Sequence, residues 1–274
     1  MSNYRFHLHD ANSISESYEK NGFVIIKDFF PTELIENVES DIAQIIQIFL
    51  RRANISKSFD SVFDDAMEAL EAVDHKYIEY IYDSIYQSTS FLRLVSHKNI
   101  EDLIKQLLCS QSPLYCYTNR CRIDPPQDER RTYGWHQEVF YTIPKGKYIQ
   151  SWAPLVRNST NQNGTIHVAV GSHKNGILEQ DWNEIEGRAT QIIVPESAIQ
   201  TCPKIVVEVE LGELLLFSGY LVHRSGENIS KQHRYSLVGM YHDMDATHFI
   251  PPKLDFAYRE ISPRSFYDRE KLKW

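Results

Sequence analysis

The first hundred or so residues combine one apolar run with a helical spacing of hydrophobic positions. A largely apolar stretch at 23–30, FVIIKDFF, predicts a short strand, and Pro31 follows it directly. Proline is tolerated in the first turn of a helix, and apolar residues after it recur every three or four positions. Similar spacings predict further helices over 62–86 and 98–109. We therefore expect a helical layer over about 15–110.

After Pro113 the pattern changes to short runs rich in β-branched and aromatic residues, separated by turn-forming Gly, Pro and Asn. The runs are LYCYTNRC, GWHQEVFYTI, YIQSWAPLV, TIHVAV, KIVVEVEL, GELLLFSG and YSLVGMYH. The stretch 174–204 is interpreted as an insertion or long loop with a short helix. Helices followed by closely spaced strands predict a mainly β fold, a sandwich or small barrel with an N-terminal helical layer. We expect one domain over 1–274, with its β core at about 113–245.

Composition narrows the classes of function. The 274 residues are 42% hydrophobic and 24% charged, which is typical of a globular protein, and the net charge of −8 does not favour nucleic acid or an anionic membrane as partner. No run approaches the roughly 20 apolar residues that a membrane helix needs. Four cysteines lack CxxC spacing and disulfide density, so we expect free thiols in the cytoplasm. A small-molecule partner is the remaining expectation, and the oligomeric state stays open.

One histidine and one glutamate have the spacing of metal ligands. In a strand, His136 and Glu138 would point to the same face. An imidazole and a carboxylate are two members of the facial triad that binds non-haem iron, and His223 is a candidate for the third. Such a pair alone is common by chance. Arg234, eleven residues after His223, strengthens the set because a guanidinium binds a carboxylate bidentately, and Ser236 would face the same way.

These motifs together resemble the phytanoyl-CoA dioxygenase-like (PhyH) family of iron(II)- and 2-oxoglutarate-dependent oxygenases. The phrase YEKNGFVIIKDFFPTEL at 18–34 resembles the opening strand and helix of that family, and NGTIHVAVGSHKNG at 163–176 resembles its later turn region. The likeness extends over about 15–245. It implies a double-stranded β-helix, the jelly-roll or cupin-like core. It also implies a dioxygenase that uses Fe(II), 2-oxoglutarate and O2 to hydroxylate a small organic substrate, releasing succinate and CO2.

The same resemblance assigns roles to individual residues. It implies that His136, Glu138 and His223 are the catalytic iron ligands and that Arg234 binds the distal carboxylate of 2-oxoglutarate. Further cosubstrate contacts are implied for Trp152, Thr118 and Asn119. Glu138 departs from the family, which usually has the shorter Asp. A retained carboxylate argues against a halogenase.

Several alternatives stay open at this point. Arg120 and Arg122 are hypothesised to bind an anionic group of the substrate. The alternative, that both are solvated or paired with nearby acidic residues, agrees with the sequence equally well. The rival to an enzyme is a jelly-roll binding protein with a vestigial metal site. Desaturation, epimerisation or ring formation would use the same site as hydroxylation. The cluster of His242, Asp245 and His248 is interpreted as a solvated loop.

Overall fold

The computed structural model of the protein describes residues 2–128, 132–140, 148–184, 191–247 and 249, without the side chains of Ser2, Tyr117, Thr118 and Phe140. Six α-helices precede the β core. They are α1 (Ala11–Asn21), α2 (Thr32–Arg52), α3 (Asp65–Val73), α4 (Lys76–Tyr86), α5 (Thr89–Val95) and α6 (Lys98–Leu108). In the described part of the chain, no helix has both the length and the apolar character that crossing a membrane requires.

Strands supply the rest of the regular structure. They are β1 (Arg5–His7), β2 (Phe23–Lys27), β3 (Leu114–Asp124), β4 (Tyr148–Pro154), β5 (Ile166–Ala169), β6 (Asp181–Asn183), β7 (Gln191–Ile193), β8 (Lys204–Val207), β9 (Leu214–Ser218), β10 (His223–Ser225) and β11 (Arg234–Asp243). A six-stranded sheet has the order β1-β2-β9-β4-β11-β3, a three-stranded sheet has the order β10-β5-β8, and β6 and β7 form a hairpin.

Strand register sorts the side chains of the large sheet onto two faces. In the antiparallel ladders, Val238 of β11 lies opposite Arg120 of β3 and Trp152 of β4. Because side chains alternate along a strand, these residues share one face. Apolar side chains on that face pack against the small sheet, for example Trp152 against the cluster that holds Val168 and Val207. Two sheets with a shared interior are the jelly-roll core that the sequence predicted.

The opposite face of the large sheet is covered by the helical layer. Val38, Ile42 and Ile46 on α2 are fully buried in the same apolar cluster as Leu237 of β11. The predicted helical stripe after Pro31 is thus confirmed, since positions four residues apart lie on one side of a helix. Tyr235 adds a polar link, because its hydroxyl donates to the Phe63 carbonyl at 2.7 Å.

Some predicted boundaries are wrong. The strand expected over 23–30 ends at Lys27, where Asp28 takes a positive φ of 49° and turns the chain. The single helix expected over 62–86 is two helices, since Asp74 takes an extended conformation between them. Sequence reasoning missed α1, whose only buried residues are Ile14 and Ser17, too few to produce a clear apolar stripe.

The stretch 174–204 contains the β6–β7 hairpin rather than a plain loop. The short helix expected there corresponds to a 3-10 turn at Glu196–Ile199. Residues 141–143, the end of the strand expected over GWHQEVFYTI, and the tail beyond Pro251 lie outside the described residues.

Candidate metal centre and its cavity

The segment that carries His136 and Glu138 is not the strand that the alternating pattern predicted. Only His136 pairs like a strand residue, exchanging backbone hydrogen bonds of 2.9 and 3.0 Å with His223. Glu138 begins a 3-10 turn, Glu138–Phe140. Alternation along a strand therefore does not describe the local geometry of His136 and Glu138.

Gln137 explains how this turn is held. Its side chain is fully buried, and its amide nitrogen donates to the carbonyls of Gly176 at 2.8 Å and Tyr220 at 2.6 Å. Its amide oxygen accepts from the backbone N–H of Leu178 at 2.9 Å. Gln137 thus links the segment between the first two candidate ligands to two neighbouring loops, one of which leads into His223.

The three candidate ligands converge even so. Ligand atoms of His136, Glu138 and His223 all lie within 4.8 Å of one another, so the group could hold a metal ion. The Glu138 Oε2 atom lies 3.6 Å from Nε2 of His136 and 3.8 Å from Nε2 of His223. Two imidazoles and one carboxylate around one point form the donor set of a facial iron triad.

Backbone carbonyls fix the orientation of both imidazole rings. Nδ1 of His136 lies 2.8 Å from the Gly134 carbonyl, and Nδ1 of His223 lies 3.0 Å from the Leu221 carbonyl. A carbonyl oxygen can only accept, so each Nδ1 donates its proton. The Nε2 atoms are left to face the metal position, as metal-binding histidines usually are.

The protonation states also suit a divalent cation. Burial, together with the nearby imidazole of His136, lowers the pKa of His223 to about 3, so that ring is neutral at pH 7. Burial raises the pKa of the Glu138 carboxyl, but the imidazoles of His136 and His223 and the guanidinium of Arg120 outweigh it and hold the pKa below its usual value. Glu138 is therefore a carboxylate, and the ring of His223 has a lone pair to donate.

A cavity of about 140 Å³ opens beside these ligands. Of the residues singled out from the sequence, Arg120, Arg122, Trp152 and Arg234 line it together with the three candidate ligands. The structure thus brings together residues from β3, β4, β10 and β11 that are up to 114 positions apart, from Arg120 to Arg234.

Arg234 is the most informative of these neighbours. It is only 2% exposed, and its Nη2 donates to Oδ2 of Asp124 at 2.6 Å. Among the described residues, its Nε and Nη1 have no hydrogen-bond partner, and the fully buried hydroxyl of Ser236 on the same strand has none either. Buried donors without partners are costly, so this arrangement fits an anionic ligand that would satisfy them. The distal carboxylate of 2-oxoglutarate has the required charge and fork geometry.

Asp124 organises two of the arginines. Nε of Arg122 donates to both carboxylate oxygens of Asp124, at 2.8 and 3.0 Å, while Arg234 binds the same carboxylate. Burial raises the pKa of Asp124, but the two guanidinium groups outweigh it and lower that pKa overall. Of the alternatives left open for Arg122, the ion pair is the one observed. Arg120 is exposed at the cavity and has no ion pair with a described residue.

Asn119 does not reach the cavity. The register between β11 and β3 shifts between Val238 and Met240, so an irregularity interrupts the alternation at this point. The Asn119 amide donates to Sγ of Cys116 at 2.9 Å, and its oxygen lies beside Gly239. The side chain of Thr118 lies outside the described residues.

His242 is the clearest correction among the other histidines. It was expected in a solvated loop, yet it is fully buried in β11, and neither ring nitrogen has a hydrogen-bond partner in the part of the chain that the structure describes. Its ring centre lies 4.5 Å from that of Tyr148, and burial lowers its pKa to about 4. The predicted run YSLVGMYH already extends to His242, and β11 continues to Asp243, so this histidine belongs to the strand rather than to the loop that follows it. Asp245 is exposed, as expected, and His248 lies outside the described residues.

Sequence reasoning also missed cavity residues. Arg224 and Gln150 line the cavity, and so does Tyr133, whose ring centre is 5.5 Å from that of His136. Gln150 could have been found from strand alternation, because it shares a face with Trp152 two residues later. The one sequence signal for Arg224 as a cavity residue is its position next to the candidate ligand His223, and that position alone is weak evidence.

Comparisons with known proteins agree with the geometry. The sequence profile described as phytanoyl-CoA dioxygenase (PhyH) matches residues 18–236. The chain is 24% identical over 260 residues to 1-deoxypentalenic acid 11-beta-hydroxylase of Streptomyces exfoliatus, covering 93% of this chain and 87% of that protein. It is 22% identical over 242 residues to human peroxisomal phytanoyl-CoA dioxygenase, covering 86% and 69%.

A solved structure shares the fold. The epimerase SnoN, in complex with Fe3+, alpha ketoglutarate and nogalamycin RO, aligns with a TM-score of 0.59 at 17% identity, covering 88% of this chain and 87% of that one. At that identity the likeness concerns the fold alone, whereas the profile match spans most of the sequence. With that match, the chain belongs to the phytanoyl-CoA dioxygenase family and is a non-haem iron(II)- and 2-oxoglutarate-dependent dioxygenase.

Proposed function

We propose that this chain hydroxylates a small organic molecule at an iron(II) held by His136, Glu138 and His223. One observation carries the proposal. The three ligand atoms lie within 4.8 Å of one another in the same cavity as a buried arginine with two unpartnered donors. A metal position and an anion position in one cavity are what an iron enzyme with a dicarboxylate cosubstrate needs.

Each ligand has a defined task. When bound, iron activates O2 at the expense of the oxidative decarboxylation of 2-oxoglutarate to succinate. The Gly134 and Leu221 carbonyls hold the Nδ1 protons, so the imidazoles present Nε2 without reorientation. Glu138 contributes one negative charge, and its position in a turn tethered by Gln137 limits its freedom.

The cosubstrate position follows from Arg234. Its Nε and Nη1 would donate to the distal carboxylate of 2-oxoglutarate, and Ser236 would add a hydroxyl donor from the same strand face. Trp152 forms a wall there, since the Arg234 guanidinium carbon lies 5.8 Å from its ring centre. Asp124 keeps the guanidinium in place. Such a preorganised site excludes water and orients the cosubstrate before reaction.

Hydroxylation is favoured over the other outcomes by the sequence relatives. The name of the Streptomyces exfoliatus relative is that of a hydroxylase of an acid, whereas the similar structure SnoN is an epimerase. The sequence relative covers 93% of this chain at 24% identity, compared with 17% for SnoN, so we choose hydroxylation. We also propose a single domain, since one apolar cluster joins the helices to the sheet. The four free thiols support a reducing compartment, for which we propose the cytoplasm.

Anaerobic titration tests the assignment. Iron(II) is added to the metal-free protein with 2-oxoglutarate, and the visible charge-transfer band of the chelate is recorded. We expect a band with the native protein, none with His223→Ala, and an unchanged band with His75→Ala, which removes a half-exposed histidine from the helical layer. Succinate release during a substrate screen then separates hydroxylation from other outcomes through product mass.

The alternative function, a binding protein without catalysis, predicts a different result. A binding protein with a vestigial site would give neither the band nor a rise in melting temperature with iron and 2-oxoglutarate, although a true ligand must stabilise the folded state. That pair of negative results would reject the enzyme assignment for this site.

A further inference from the structure

The cavity carries far more positive charge than the chain as a whole. Four guanidinium groups line it, from Arg120, Arg122, Arg224 and Arg234, although the net charge of the protein is −8. Arginine clusters in a concave site raise the local potential and concentrate anions there. The question is how much of this charge the metal and cosubstrate would neutralise.

A charge count leaves two positive charges. Asp124 pairs with Arg122 and Arg234, and Glu138 is the only other carboxylate among the described residues that line the cavity or hold its arginines. The two carboxylates reduce the four positive charges to two. The charge of iron(II) is cancelled by the two carboxylates of 2-oxoglutarate, so the described residues of the loaded site leave two cations uncompensated.

Those cations belong to Arg120 and Arg224. The Arg120 side chain makes no hydrogen bond or ion pair with a described residue, and it lines the same cavity as Glu138. Arg120 therefore lies on the ligand side of the cavity with its donors available. It is exposed, which places it at the opening rather than at the floor.

Arg224 is oriented by neutral groups. Its guanidinium lies 5.0 Å from the ring centre of Trp135, and its Nε and Nη2 donate to Nδ1 of His167 at 3.4 and 3.3 Å. Burial and this arginine lower the pKa of His167, so His167 accepts without neutralising the charge. Glu196 is also nearby, but its carboxylate is paired with Lys204 at 3.3 Å and is largely exposed. Nη1 of Arg224 has no partner among the described residues.

We propose that the substrate is an acid whose carboxylate or phosphate group binds between Arg120 and Arg224 at the opening of the cavity. This rests on the proposed function, because the count assumes that iron and 2-oxoglutarate occupy the inner part. A rigid arginine fork recognises either oxyanion bidentately, so the shared chemistry is an exposed oxyanion. Trp152, Ile166 and Met240 line the same cavity and suit an apolar body attached to the acid group.

Binding of simple probes tests the proposal without turnover. The iron(II)- and 2-oxoglutarate-loaded protein is titrated anaerobically with benzoate, phenyl phosphate and neutral benzamide by calorimetry. We expect both anions to bind and benzamide to bind at least about tenfold more weakly, since a neutral amide offers one carbonyl oxygen and no negative charge to the guanidinium groups. Tighter binding of phenyl phosphate assigns a phosphate group to the substrate, and tighter binding of benzoate a carboxylate.

Matched variants locate the effect. Arg120→Gln and Arg224→Gln should each weaken both anions about tenfold, whereas Arg93→Gln, at an exposed position on α5, should not. Arg224→Lys, which keeps the charge, should retain part of the affinity and guards against a folding defect. Equal binding of benzoate and benzamide, no anion binding, or unchanged affinity in both glutamine variants would overturn the proposal. Binding of 2-oxoglutarate is titrated separately in every protein, so its failure would instead reject the proposed function.

Discussion

The two faces of β11 differ in how their buried polar groups are hydrogen-bonded. The outer face packs against the helices, and the inner face packs toward the small sheet and the cavity. On the outer face, Leu237 is fully buried among helices, and the hydroxyls of Tyr235 and Tyr241 donate to the carbonyls of Phe63 and Val95. On the inner face, Arg234 and Ser236 are just as buried, yet three of their polar atoms have no partner. Both faces belong to one strand and exclude water equally well. Only the inner face leaves donors for a ligand.

This difference separates stability from function along a single strand. The outer face gains free energy from apolar burial and complete hydrogen bonding. The inner face keeps buried polar groups that are costly without a ligand and useful with one. Substitutions on the two faces should therefore affect different measurements, and four tests follow, from the largest effect to the smallest.

Removing the candidate metal carboxylate should have the largest effect. We expect Glu138→Ala to lower iron affinity by more than about 100-fold, because loss of even an outer partner of a metal ligand costs about 10–100-fold. Glu138→Asp should retain part of the affinity, since it keeps the charge but retracts the oxygen by about one C–C bond, roughly 1.5 Å. Iron titration measures both. Equal affinity of Glu138→Ala and the native protein would contradict the assignment.

Truncation on the outer face should affect stability alone. We expect Leu237→Ala to lower the free energy of unfolding by about 2–5 kcal/mol, as a buried leucine leaves a cavity among the helices. Urea unfolding of the metal-free protein measures this change. Iron affinity of the folded variant should stay native. A loss below about 1 kcal/mol would contradict the contribution of this side chain to stability, and a parallel loss of iron binding would show that the two faces are coupled.

The inner-face arginine should show the reverse pattern. We expect Arg234→Lys to weaken 2-oxoglutarate binding by about 10–100-fold, since lysine cannot form the bidentate fork. Iron affinity without cosubstrate and the urea midpoint should change little. A matched Arg93→Lys variant on α5 should leave 2-oxoglutarate affinity unchanged. If Arg234→Lys bound 2-oxoglutarate with native affinity, the distal carboxylate would have to bind elsewhere in the cavity.

The smallest effect concerns acid sensitivity of the inner face. Burial lowers the pKa of His242 to about 4, so the unfolded chain, with an ordinary histidine pKa near 6.5, takes up the proton first. Stability is therefore present above about pH 6.5 and is lost as pH falls toward about 4, by at most about 1.4 kcal/mol per pH unit. His242→Phe keeps the ring beside Tyr148 and should flatten the decline between pH 6.5 and 5 in metal-free protein. An unchanged slope would mean that other groups, such as His223, account for the acid sensitivity.

Much of the helical layer and the strand set was predictable because hydrophobic spacing directly reflects burial. The stripe along α2 and the runs that became β4, β9 and β11 illustrate this. The exceptions have local causes. The left-handed backbone conformation of Asp28 ends β2 earlier than predicted, and α1 buries too little apolar surface to show a periodic pattern.

The site was predictable in residue type but not in shape. His136, Glu138, His223 and Arg234 were selected by spacing and resemblance, and their convergence needed no change to that set. Asn119 illustrates the limit, because the register shift near Gly239 interrupts strand alternation. Arg224 illustrates a second limit of prediction from sequence. Its role depends on the residues across the cavity, and no local sequence pattern indicates those neighbours.

By itself, the sequence determined most of the apolar positions that are buried along α2 and the core strands, and which chemical groups are available to hold a metal and an acid. The tertiary structure decided what those groups face. A 3-10 turn rather than a strand brings Glu138 to the histidines, and Asp124 pairs with two arginines while Arg120 and Arg224 have no carboxylate partner among the described residues. The physical reason is that periodicity is a local property of the chain. Ligand geometry and charge balance instead depend on distances between residues far apart in sequence.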